Sequence, residues 1–147
     1  MLILGRTNTP WPKLESRPNP LPVDHWLVYV DGSLAKEGGR ACILLISQGK
    51  EEIKYNVKFG FPVMNNVAEY KTLLCGLRLA QKIRVDKIII YSDSQLVAQQ
   101  VQGEYEVKDP LLTKYHTMVG QLWGHFLEIQ LEQISREVNT NCQLRIH

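Results

Sequence analysis

The sequence contains no long hydrophobic run. Its longest apolar stretches, such as residues 41–46, hold only a handful of positions, far short of the roughly 20 that a helix needs to cross a bilayer. No membrane partner is expected, and the opening MLILGRTNTP, interrupted by Gly5 and Arg6, does not read as a secretory signal. Cysteine is scarce. Cys42, Cys75 and Cys142 are widely spaced and odd in number, and they make neither a zinc pattern nor a disulfide framework. That favours a reducing, intracellular setting, cytoplasmic or nuclear. Charge of one sign is also lacking: the net value of +2 is too small to argue for or against nucleic acid on electrostatics alone. No internal repeat is present. What remains, 147 residues with 44% hydrophobic and 22% charged, is the composition of one soluble globular domain with a single core, expected to be a monomer.

Proline nearly disappears after the first 22 residues, which hold five of the seven. The stretch TNTPWPKLESRPNPLP excludes a helix or a central strand. Residues 1–24 therefore read as an extended linker or arm, with something before it, and residues 25–147 as the folded domain. Trp11 reads as an exposed aromatic on that arm. The domain opens with WLVYVDGS, whose residues 26–30 predict a strand ending at Asp31. DGSLAKEGG is turn chemistry, RACILLIS (40–47) a second strand, and the alternating EEIKYNVKFG (51–60) a half-exposed third. These three predict an antiparallel meander. Tyr70, Leu73, Leu74, Leu77 and Ala80 recur at helical spacing and predict a helix over 65–83, capped by Asn65 or Asn66. A strand at 87–92, helices at 94–102 and from Pro110 to about 124, and a strand at 126–134 complete the order. Strands joined through helices run parallel, so the fold class is α/β with a mixed five-stranded sheet.

Three carboxylates stand out. Asp31 and Asp93 each follow an apolar strand, and if those strands are parallel neighbours both acids reach the edge where such sheets gather ligands. Glu69, at 100° per residue, borders the core-facing arc of the first helix. Each has an ordinary explanation when taken singly. Asp93, with Ser92 or Ser94, could cap the next helix, and Glu69 could complement the positive helix N-terminus. Together, three converging carboxylates need a cation, and oxygen ligands suit Mg²⁺ or Mn²⁺. Two such ions can activate a water and stabilise the leaving oxygen of a phosphodiester.

The stretches LVYVDGS, FGFPVMNNVAEYKTLLCGLRLA, IIIYSDSQLVAQQVQGEYEVKDP and REVN, in that order and spacing, resemble the ribonuclease H domains of reverse-transcribing elements, above all those of plant gypsy-type LTR retrotransposon polyproteins. The resemblance covers most of residues 26–142. It implies a ribonuclease H-like fold, a three-stranded antiparallel meander plus two parallel strands flanked by helices. It implies hydrolysis of the RNA strand of RNA/DNA hybrids. Asp31, Glu69 and Asp93 fall on the family's catalytic, metal-binding carboxylates, and Ser33, Asn65, Asn66 and Gln95 on positions near the hybrid. In that family the domain follows a reverse transcriptase domain, which fits the proline-rich arm. Asn and Gln amides suit 2′-hydroxyls and base edges without demanding a sequence.

The chain also departs from the family. An Arg-Glu-x-Asn-x-x-Ala-Asp pattern is expected near the end, but REVNTNCQ places Gln143 where the fourth carboxylate belongs. A neutral amide holds a hard cation more weakly, so a weak second ion site is expected. The family's C-terminal helix is also expected to be truncated. His116 and His125 read as surface or packing residues rather than proton shuttles. Alternative readings are a decayed retroelement copy that binds hybrid without cutting it, and a 3′–5′ exonuclease of the same fold.

Overall fold

The computed structural model describes residues 24–35, 38–59 and 65–137. The proline-rich arm ahead of Asp24, and Gln143 in the tail, lie outside the described residues. Among the described residues, five strands and three helices follow one another as β1 (Trp26–Ala35), β2 (Gly38–Ile46), β3 (Glu52–Lys58), α1 (Asn65–Lys82), β4 (Lys87–Ser92), α2 (Gln95–Val101), α3 (Pro110–Trp123) and β5 (Glu128–Gln133). They form one sheet in the order β3-β2-β1-β4-β5. The β1–β2 and β2–β3 pairs are antiparallel, and the β1–β4 and β4–β5 pairs are parallel. This is the mixed sheet that the order of elements predicts, since a helical crossover returns each later strand in the same direction.

The first strand is longer than its sequence suggests. It runs through DGSLA to Ala35 instead of ending at Asp31, and pairs with β2 as far as Ala35↔Gly38. Turn-forming residue types there are overruled by the ladder with β2, a tertiary override of local propensity. The parallel pairing with β4, by contrast, stops at Val30↔Ser92.

One face of the sheet is covered by α1. Val28, Val30, Ile43, Leu45, Ile88 and Ile90 from the strands pack with Tyr70, Leu73, Leu77 and Ala80, all at most 2% exposed. Gly76 lets the helix sit close: a Cβ there would lie 2.9 Å from Val30 Cγ1. On the opposite face Tyr29 stacks on Tyr91, ring centroids 4.9 Å apart. Cys42 is disulfide-bonded and Cys75 is a free thiol. The bond at Cys42 departs from the expectation that the cysteines make no disulfide framework. Among the described residues, no helix is long and apolar enough to cross a membrane.

Candidate active site

Register and turn chemistry place the two aspartates. Asp31 lies on β1 one residue beyond the last parallel pair, Val30↔Ser92, and Asp93 directly follows β4. They are therefore neighbours at the point where β4 leaves the sheet. The Ser94 amide donates to Ser92 Oγ (3.1 Å), bridging over Asp93, and Ser94 Oγ accepts from the Val97 amide (3.3 Å) as the N-cap of α2. The cap is thus Ser94, and the Asp93 carboxylate is left to face the cluster.

Glu69 arrives on α1. The helix already includes Asn65 and Asn66, so neither is its cap, and Glu69 starts the second turn rather than lying in the first. The close approach of α1 to β1 depends on Gly32. A Cβ at that position would lie 2.7 Å from Thr72 Oγ1, 2.9 Å from the Ala68 carbonyl and 3.0 Å from Glu69 Oε1. The gap is used: the Gly32 amide donates to Glu69 Oε1 at 3.1 Å. Thr72 Oγ1 turns back to donate to the Ala68 carbonyl at 2.7 Å.

Asp31, Glu69 and Asp93 each offer an oxygen within 4.8 Å of the others. Asp31 and Glu69 are 9% and 8% exposed, and the Asp93 side chain is 5% exposed. Burial pushes the Glu69 carboxyl up to about 7. Asp93 and Asp31 push it the same way, while the Gly32 amide and the Arg136 guanidinium oppose them. Asp93 Oδ1 is buried without a hydrogen-bond partner, and Arg136 Nε lies 3.8 Å from Asp93 Oδ2 with its own side chain 83% exposed. Crowded buried carboxylates with an orphaned oxygen fit a hard divalent cation, whose charge and coordination would supply what the protein does not. Arg136 is a neighbour that the sequence reading does not single out, although REVN contains it.

The remaining candidates are spread around this cluster. Asn65 and Asn66 open α1, the first exposed and the second half-buried, and Gln95 opens α2 and is exposed. Ser33 pairs with Arg40 across the β1–β2 ladder. His116 is engaged in packing, its Nε2 3.1 Å from the Gln100 carbonyl.

The family described as reverse transcriptase-like matches residues 30–143. The chain belongs to this reverse transcriptase-like family. Among curated relatives, the Bifunctional protein Rv2228c of Mycobacterium tuberculosis is 38% identical over 76 residues, 52% of this chain and 21% of that protein. Ribonuclease HI of Halobacterium salinarum is 29% identical over 122 residues, 83% of this chain and 52% of that protein. The chain thus spans about a fifth to a half of the curated relatives it matches. Among solved structures, RNase H1 of the halophilic archaeon Halobacterium salinarum superposes with a TM-score of 0.76 at 24% identity, covering 82% of this chain and 92% of that one. The N-terminal RNase H domain of Rv2228c, solved as a fusion with maltose-binding protein, gives 0.70 at 28% identity, covering 82% and 88%. LC11-RNase H1 in complex with an RNA/DNA hybrid gives 0.72 at 22% identity, covering 81% and 91%. This member of the reverse transcriptase-like family has the ribonuclease H fold.

Proposed function

We propose that the chain is a ribonuclease that hydrolyses the RNA strand of RNA/DNA hybrids, with Asp31, Glu69 and Asp93 as its catalytic and metal-binding residues. The observation that carries this reading is the buried cluster of three carboxylates, within 4.8 Å of one another, on a ribonuclease H fold. A relative named Ribonuclease HI, and a similar structure solved with an RNA/DNA hybrid, support the same substrate. Two Mg²⁺ or Mn²⁺ ions at such a site would supply a water-derived nucleophile and charge neutralisation at the leaving oxygen. The chain's own residues do the rest. Asp31 and Asp93 are fixed by β1 and β4, and Glu69 is held by the Gly32 amide. Asn65, Asn66, Gln95 and Ser33 are the proposed contacts to the hybrid. Asn66 and Gln95 stand in the first turns of the two helices nearest the carboxylates, where amides can meet 2′-hydroxyls. Resemblance to gypsy-type retrotransposon polyproteins of plants supports a reverse transcriptase domain as the neighbour in a parent polyprotein, joined through residues 1–24.

Gln143, at the position of the fourth carboxylate, supports a weak second ion site. It also favours a second reading, in which a decayed copy binds hybrid without cutting it. Incubation of the protein with an end-labelled RNA/DNA hybrid, with and without Mg²⁺ or Mn²⁺, separates the two. Metal-dependent cleavage of the RNA strand is expected. Binding without cleavage in either metal would establish the second reading.

A further inference from the structure

We propose that Tyr70 and Gln100 form a buried strut that sets the distance between Glu69 and Asp93, and that both are positioning residues for the metal site. This inference rests on the function proposed above and assigns a role to residues outside the carboxylate cluster.

The Tyr70 hydroxyl donates to Gln100 Oε1 at 2.6 Å, with Tyr70 0% and Gln100 7% exposed. Tyr70 immediately follows Glu69 on α1, and Gln100 belongs to α2, which begins two residues after Asp93. The bond therefore ties the helix that carries Glu69 to the helix whose N-terminus continues from Asp93.

Helix α2 is only seven residues long, too short to hold its place by its own propensity. Beside the core packing of Val97 and Ala98, side-chain bonds in three directions hold it in place. Gln100 Oε1 reaches α1 through Tyr70, and the Gln100 carbonyl is 3.1 Å from His116 Nε2 on α3. Gln102 Nε2, at the C-cap, donates to the Leu131 carbonyl on β5 at 2.8 Å. A fully buried aromatic could fill the Tyr70 site without a hydroxyl. A hydroxyl paired with a buried amide oxygen adds direction and a fixed length, the property expected of a polar pair retained within a core. A small rotation of α1 about its axis would carry Glu69 Oε1 away from the Gly32 amide and from Asp93. The strut opposes that rotation one residue further along the helix.

The test uses the intact chain and four proteins: wild type, Tyr70→Phe, Gln100→Met, and the double variant. Apo thermal stability, Mn²⁺ affinity by calorimetry, and kcat and KM on an RNA/DNA hybrid are measured for each. Each single change leaves one buried polar atom unpaired and lowers the apo melting temperature. The double variant removes both atoms and recovers much of that loss. A positioning role predicts that Mn²⁺ affinity and kcat stay about tenfold down in the double variant despite its recovered stability, with KM within about twofold of wild type. Affinity and kcat that return with the melting temperature, or never move, overturn the strut. A wild type that binds no Mn²⁺ overturns both the strut and the active-site reading. A wild type that binds Mn²⁺ without cleaving overturns the ribonuclease reading alone, since the affinity comparison still decides the strut.

Discussion

The Glu69 carboxyl, raised to about 7 from an ordinary 4.5, makes stability depend on pH in a defined direction. Between about 4.5 and 7 the folded state holds a proton that the unfolded chain has released, so stability falls as pH rises through that window, by at most about 3 kcal/mol. In chelator, the melting temperature should be lower at pH 8 than at pH 5, and Glu69→Gln should flatten that slope. Divalent metal should raise the wild-type melting temperature at pH 8 by mass action. Asp31→Asn should lose that rise while the apo protein stays as stable or gains, because one like charge is gone. Gly32→Ala places a methyl group against the Ala68 carbonyl and Thr72. It should cost about 1–3 kcal/mol in a urea titration and weaken metal binding as α1 is pushed outward. The three acids are legible in the sequence because strand ends and helical phase are local signals. The tasks of Gly32 and Arg136 are not, because a helix 37 residues away presses on the one, and a tail segment brings the other to Asp93.

Individual elements are predicted closely wherever apolar periodicity is strong. Helix α1 and strand β4 match their expected spans within a residue, as does α3. The discrepancies occur where a polar sequence is governed by a partner strand. DGSLA reads as a turn until β2 supplies its ladder, and the helix start after Asp93 is ambiguous until Ser94 proves to be the cap. Ser94→Ala should cost about 1 kcal/mol through the lost cap. It should also loosen the bridge over Asp93, so that metal affinity falls further than the stability change alone explains. Calorimetry at a temperature where both proteins are fully folded separates the two effects.

At the scale of the whole molecule, the proposed activity predicts a preference for one duplex over another. Filter binding at one stated salt concentration should favour RNA/DNA hybrid over duplex DNA. Replacing Asn66 and Gln95 together by Ala should reduce hybrid binding without lowering the melting temperature. Gln143→Asp should raise cleavage most at low Mg²⁺, and equal rates at limiting metal would show that position 143 holds no ion. The two-sided pairing of β1 has a consequence for how the chain assembles. Its antiparallel neighbour β2 is adjacent in the chain, while its parallel neighbour β4 is synthesised only after the whole of α1. Local pairing closes a short loop and distant pairing a long one, so the meander is free to form early. The cluster is complete only when β4, the more distant of the two partners of β1, docks. A Mn²⁺-sensitive signal followed during refolding should therefore lag behind amide protection in β2 and β3, and capacity to bind metal would mark a step later than formation of the meander.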